Sequence, residues 1–468
     1  MMRGLILLIW LVSLAVNAPG HLSYDSIVQL TEGRTGVFAG FHPPLMSALL
    51  GVFDHVLPGT ALYLVVVSAL FYLPLIALAG VDAGRRPLHW LASAALVLLI
   101  ATPFLLIYQG IVWKDVLFAN LSLSTFACLV QAEREERRPA RLFCLAAAAV
   151  LAALAMATRQ NGLLVPVFAA AALAWPMTNF AGLRRRILAS SAWLLVVGLA
   201  FLGTQAAIAR VATQPVGSGF ANGLIVLQRY DIVGMIAHGA PPFDGAAGGT
   251  DDAAHVTATF RRDYEASRLD RVMKTPEVIA YFTRTGLDGG QWWRMVRQNP
   301  GAWLAHRAAV FRWMVFPPDV RECLPVWVGV DGPAEQISAL GLSRGARPQD
   351  SALYAYATPW FGTPLFVNGA WALLAVALGA VLLWRRQSGD VTMVLLLGTA
   401  VAFCASFALI GIACDVRYLF LLPVACCGAL AQLAAVAKDR AGSFSGSGRS
   451  ASERPRSPPA PPPPAHPS

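Results

Sequence analysis

Charge is what this sequence has least of. Asp, Glu, Lys and Arg make up only 13% of its 468 residues, whereas a soluble domain carries about 25%. An ordinary soluble fold is excluded on that ground. Nucleotide-handling loops are missing too: there is no Walker loop, no glycine-rich dinucleotide turn after a strand, and no Gly-x-Ser-x-Gly elbow. Direct use of cytosolic ATP or a sugar nucleotide is thereby disfavoured. The seven cysteines show no metal-type spacing, and Cys128, Cys144, Cys404, Cys426 and Cys427 lie in or beside apolar runs. No second histidine stands at ligand spacing from His42, so no cofactor is demanded and a divalent metal has thin support. The absence of an evident internal repeat argues against a transporter built from inverted halves.

What the chain does have is apolar sequence, 56% hydrophobic with a mean hydropathy of +0.57. A span needs roughly 17–25 apolar residues, and about ten runs approach that length. They lie near 4–18, 60–80, 88–107, 113–131, 142–157, 163–177, 187–209, 366–384, 391–412 and 416–436. The expected fold class is an all-α polytopic membrane protein. Its net charge of +10 is a topology signal. Arginines fill alternate loops, at Arg85-Arg86, Arg134 to Arg141, Arg184-Arg185-Arg186 and Arg385-Arg386, with more basic residues in the tail. The positive-inside rule places those loops in the cytoplasm, and no nucleic-acid partner is implied. Met1-Met2-Arg3 resembles the start of a signal peptide, but Pro19 after Val16-Asn17-Ala18 disfavours cleavage. An uncleaved first span is expected.

With both termini inside, residues 1–209 form an N-terminal transmembrane region whose first outer loop covers 19–58. Residues 210–365 form an extracytoplasmic mixed segment long enough for a small domain, and 366–437 a C-terminal transmembrane region. The Ser-, Gly-, Arg- and Pro-rich residues 438–468 read as a disordered cytoplasmic tail. Within 210–365 stand a Gly- and Asp-rich stretch (Asp244 to Asp252), the run Arg261-Arg262-Asp263-Tyr264-Glu265, and Trp292-Trp293. The tryptophan pair reads first as an interfacial anchor. Residues 301–316, with Arg307 and Arg312 among aromatics, read as a helix lying at the interface. Cys323 and Cys414 both fall on the outer side, where a disulfide is allowed; spacing alone does not bring them together.

Polar residues gather at the outer turns. These hold Asp25, Glu32, Arg34 and His42; Trp113-Lys114-Asp115; Thr158-Arg159-Gln160-Asn161-Gly162; and Asp415-Val416-Arg417-Tyr418. Lys114, Arg159 and Arg417 run against the positive-inside bias, which marks them as candidates for holding an anion. Arginine's planar fork suits phosphate oxygens; neutralisation by local ion pairs is the bland alternative. Asp25 has two readings, a general base taking a proton from a hydroxyl and a helix N-cap. His42-Pro43-Pro44 reads as a helix break or as a contact to a diphosphate or sugar.

These blocks together resemble the multi-span GT-C glycosyltransferases, near the bacterial protein mannosyltransferase and aminoarabinose transferase group. An acid in the first outer loop, Asp25, precedes His42-Pro43-Pro44-Leu45, and Trp113-Lys114-Asp115, Arg159-Gln160-Asn161-Gly162 and Asp415-Val416-Arg417-Tyr418 follow. Tyr230-Asp231-Ile232-Val233-Gly234, Asn299-Pro300 and His306-Arg307 belong to the same pattern. The resemblance implies a GT-C-like fold and inverting transfer of a sugar from a polyprenyl-phosphate donor. The acceptor is a lipid, glycan or protein hydroxyl outside the bacterial inner membrane, with membrane lipids as surroundings. Asp25 matches the catalytic base; His42, Lys114, Asp115, Arg159, Asn161, Asp415, Arg417 and Tyr418 are the expected substrate-binding set. Many members carry paired acids in this loop, whereas Asp25 has no Asp or Glu beside it. A surface-polysaccharide polymerase or ligase, or a lipid or glycan flippase, are the alternatives.

Overall fold

Long apolar sequence with few helix breakers folds into helices, because a chain without water must satisfy its backbone groups internally. The computed structural model describes residues 2–38, 42–79, 87–175, 180–217, 219–243, 250–286 and 289–435. The expected tail 438–468, the Arg85-Arg86 loop, Phe41 and residues 244–249 of the Asp244–Asp252 stretch lie outside the described residues.

The N-terminal region contains α1 (Met2–Asn17), α2 (Tyr24–Thr35), α3 (Leu45–Val56), α4 (Ala61–Leu78), α5 (Pro87–Ala101), α6 (Pro103–Tyr108), α7 (Lys114–Arg134), α8 (Arg138–Thr158), α9 (Leu164–Ala174) and α10 (Phe180–Val211). The next segment holds α11 (Gly219–Ala237), α12 (Thr250–Asp263), α13 (Leu269–Met273), α14 (Pro276–Thr285), α15 (Gly289–Gln298), α16 (Pro300–Val315), α17 (Ala334–Ala339) and α18 (Pro348–Ala357). The chain then runs through α19 (Asn368–Arg385), α20 (Asp390–Ile410) and α21 (Leu421–Ala434). Among its described residues the segment 210–365 is helical, joined by isolated bridges rather than a sheet.

Each of the ten apolar runs is helical, but seven helices are long and apolar enough to cross a membrane. These are α4, α7, α8, the Arg184–Val211 part of α10, α19, α20 and Val416–Ala434. The expected count of about ten is not confirmed: the other apolar helices among the described residues fall short in length. The 16 residues of α1 reach only about 24 Å, short of a hydrocarbon core of about 30 Å. The run 88–107 breaks at Thr102-Pro103 into α5 and α6, and the run 163–177 yields only the 11-residue α9.

Burial ranks the spans. In α7 and Val416–Ala434, 89% and 94% of the residues are buried, against 17% in the spanning part of α10. α7 and α21 are thus the centre of the bundle and α10 presents its apolar side chains outward, as lipid contact requires. α7 packs on α4, α8, α20 and α21. Its two ends differ in chemistry: Lys114 opens it, and Arg134 closes it by donating to Gln432 at the far end of α21 (2.6 Å). With Arg137, Arg138, Arg184 and Arg385 near the same helix ends as Arg134, the arginine-rich turns and the Lys114 end are separated by the length of α7, about 30 Å.

The segment α11–α18 has its own small core, built from Ile232, Val233 and Ile236 of α11, Phe260 of α12, Tyr281 of α14 and Met295 of α15. Helix α16 packs on α11 and α20. Gly234 lets α11 and α16 approach closely, since a Cβ there would overlap the His306 ring. Arg307, expected on an interfacial helix, is 3% exposed and pairs with Asp231 of α11, while Leu304 and Phe316 stay exposed. Trp292 donates its indole N–H to Asp231 (2.8 Å) and Trp293 is half exposed.

Candidate functional site

Backbone pairing brings the segment after α1 to the start of α7. His21 N–H bonds to Gly110 C=O (2.9 Å), and Val112 N–H to His21 C=O (3.0 Å), so the two segments run parallel. Ser26 then donates its hydroxyl to Val112 C=O (2.7 Å) and the Trp113 indole donates to Ser23 Oγ (2.8 Å). These bonds fix the N-terminus of α2 beside that of α7. Ser23, not Asp25, is the N-cap residue of α2, and its N–H bonds to Ser26 Oγ (3.1 Å). Asp25 lies within the first helical turn, which leaves its carboxylate free for another partner.

That partner is Arg417. Its Nη2 lies 2.7 Å from Asp25 Oδ2, its Nε 3.3 Å from Asp415 Oδ2 and 4.0 Å from Asp115 Oδ2. The guanidinium packs against aromatic rings, its carbon 4.7 Å from the Trp113 centroid and 5.3 Å from that of Tyr418. Asp115 also pairs with Arg159, which rests on Phe403, Phe407 and Tyr418. On the other flank Lys114 Nζ donates to His42 Nδ1 (2.7 Å). The proton of a neutral His42 then sits on Nε2, 3.8 Å from Asp25 Oδ1.

Of the expected residues, the structure brings together Asp25, His42, Lys114, Asp115, Arg159, Asp415, Arg417 and Tyr418. Asn161 lies on the same turn as Arg159, but its hydrogen bond goes to Ser406 (3.0 Å). Two participants carry no distinguishing sequence signal. Arg268, just before α13, reaches Asp415 Oδ1 at 2.6 Å; nothing in its surroundings separates it from any other loop arginine. Trp113 stood inside a singled-out block, but only the fold turns its ring under Arg417. A paired segment holds Arg268 in place: Leu269 N–H bonds to Ile412 C=O (2.9 Å), Cys414 N–H bonds to Ser267 C=O (2.8 Å), and Cys414 is disulfide-bonded to Cys323.

The electrostatics follow from these contacts. Burial alone would raise the Asp25 carboxyl, but Arg417, then His42 and Lys114, outweigh it and hold the group well below the usual carboxylate range. His42 is lowered by burial and by Lys114, against the pull of Asp25, and is neutral at pH 7. Asp25 is 26% exposed and His42 21%, whereas Asp115 and Asp415 are almost fully buried. The accessible acid of the cluster is thus Asp25. Among the described residues no group of three His, Cys, Asp or Glu side chains is placed to hold a metal ion.

A second buried cluster stands behind this one. Asp231 Oδ1 lies 3.3 Å from His306 Nε2 and forms an ion pair with Arg307, and Tyr264 OH meets His306 Nδ1 (2.8 Å). Arg307 Nη1 also donates to Gly411 C=O (2.7 Å) at the end of α20. The two weak sequence blocks at 230–234 and 306–307 therefore meet and brace the segment that leads to Arg417.

No known family model matches this chain, and no curated protein matches it. Two solved structures are similar to it, both of ArnT from Cupriavidus metallidurans. One is in the apo state (14% identity, TM-score 0.34) and the other is bound to undecaprenyl phosphate (16% identity, TM-score 0.32). Each comparison covers 92% of this chain and 76% of the other. At such scores the likeness carries no weight for function, which rests on the residues themselves.

Proposed function

We propose that this polytopic membrane protein is a GT-C-type glycosyltransferase. It moves a sugar from a polyprenyl-phosphate donor to an acceptor hydroxyl on the extracytoplasmic face of the inner membrane. One observation carries the reading: a partly exposed carboxylate, Asp25, stands within one ion-pair network with Arg417, Asp115 and Arg159, and beside the Lys114–His42 pair. Four separate parts of the chain supply these groups at one end of apolar helices. A donor whose tail lies in lipid and whose phosphate lies at the surface meets both environments there.

In the transfer step Asp25 accepts the acceptor's hydroxyl proton as its oxygen bonds to the anomeric carbon from the face opposite the phosphate. The bond from that carbon to the phosphate oxygen breaks, and polyprenyl phosphate leaves with the electron pair. Arg417 and Lys114, with Arg159 behind them, meet the charge gathering on the leaving oxygen. Inversion at the anomeric carbon follows from that geometry.

The test has two arms. Mass spectrometry of membrane lipids and surface glycans from a deletion strain names the missing modification. Complementation with Asp25→Asn should leave the protein in the membrane and abolish transfer; full transfer by that variant removes Asp25 from the mechanism. Movement of a lipid-linked glycan across proteoliposomes with no glycosyl transfer would favour the flippase reading instead.

A further inference from the structure

We infer that the donor phosphate and Asp25 compete for the guanidinium of Arg417, so that donor binding detaches Asp25 from its counter-ion and turns it into a base. The inference rests on the glycosyltransferase reading and concerns how its site is switched on.

The three carboxylates around Arg417 are not equivalent. Asp115 has Arg159 as a second cation and Asp415 has Arg268, and both acids are 2% exposed. Each stays neutralised if Arg417 shifts its bonds. Among the described residues Asp25 has only Arg417 at ion-pair distance besides the neutral His42, and its side chain is 26% exposed. Water and the His42 Nε2 proton are at hand for it on release. Of the three, Asp25 is the partner that is least costly to give up.

Arg417 itself has little room to move. The Trp113 and Tyr418 rings both lie against its guanidinium, and Asp415 holds Nε. An arriving phosphate must therefore come to the Nη edge, where Asp25 now sits. The phosphodiester of the donor offers two oxygens, and so a bidentate edge, to the same fork, and displaces a single carboxylate oxygen. The exchange matters for chemistry. A carboxylate tied to a guanidinium is a poor proton acceptor, and freeing it raises its proton affinity at the moment the sugar is in place. Lys114, on the far side of His42, keeps the imidazole oriented toward Asp25 throughout.

The experiment measures polyprenyl phosphate binding to the full-length protein in nanodiscs, with monodispersity checked for every variant. Removing the competitor should tighten binding, so Asp25→Asn is expected to bind roughly 5- to 20-fold more tightly than wild type while losing transfer. In an Arg417→Gln background that gain should vanish, and in Arg417→Lys, which keeps charge but loses the fork, it should shrink. Unchanged or weaker binding by Asp25→Asn overturns the competition and leaves the functional reading intact. So does a gain that persists without Arg417, since plain repulsion then explains it. Failure of wild type and all variants to bind polyprenyl phosphate sinks the functional reading and this inference together.

Discussion

Arg417 and Asp25 are 392 positions apart in the chain and 2.7 Å apart in space. One precedes the last helix of the bundle and the other opens the second helix, so this single ion pair closes the site across the whole fold. Its consequences reach stability as well as chemistry.

Arg417→Ala leaves Asp25, Asp115 and Asp415 to share the remaining cations and removes the guanidinium packed on Trp113. Breaking a buried pair by deleting one partner costs about 3–5 kcal/mol. Because Arg159 and Arg268 still serve two of the acids, the loss should fall at the lower end. Thermal unfolding in detergent, compared with wild type, measures it; an unchanged Tm would contradict the network.

His21 sets an acid limit on stability. It is fully buried, accepts the Gly329 N–H on Nδ1 (3.1 Å) and faces Asn17 Oδ1 through Nε2 (3.0 Å). Burial, helped by Arg347 and opposed by Asp350, lowers its pKa from 6.5 to about 4. The unfolded chain therefore binds a proton that the folded chain resists. Stability is complete above pH 6.5, declines as the pH falls toward 4, and has lost about 3 kcal/mol from this group once below that. His42 and His306 are also lowered, by burial first, and steepen the same slope. Tm measured against pH should show a shallower decline over that window for His21→Gln, even though its Tm at neutral pH is lower.

The Cys323–Cys414 disulfide joins positions 91 apart and anchors the segment carrying Asp415 and Arg417. Cys414→Ser should cost about 2–4 kcal/mol and weaken transfer. In wild-type cells Cys323 and Cys414 should resist maleimide labelling until a reductant is added. Labelling without reductant would place them in a reducing compartment.

At Gly234 a methyl group has nowhere to go, because its position coincides with the His306 ring. Gly234→Ala should force α11 and α16 apart and cost about 1–3 kcal/mol by overpacking. Since Arg307 on α16 braces Gly411, a loss of transfer larger than the loss of folded protein is expected. Activity per folded molecule, quantified by size-exclusion chromatography, separates the two.

Composition and charge pattern determined most of the architecture. Apolar runs become helices wherever they stand, because hydrocarbon surroundings leave the backbone no other partner. Lys114 and Arg134 stand at opposite ends of α7, and Arg138 and Arg159 at opposite ends of α8, as local sequence implies. Only the tertiary structure decided which polar residues share a site. The sequence leaves Asp25 open as an N-cap or as a base, and Ser23 taking the cap removes the first reading. Arg268 has no local signature, and Asn161, two residues from Arg159, turns away to Ser406. Helix formation depends on neighbours a few positions apart, which a sequence displays directly. An ion pair such as Asp25–Arg417 depends on where two distant segments meet, and that is set by the packing of every helix between them.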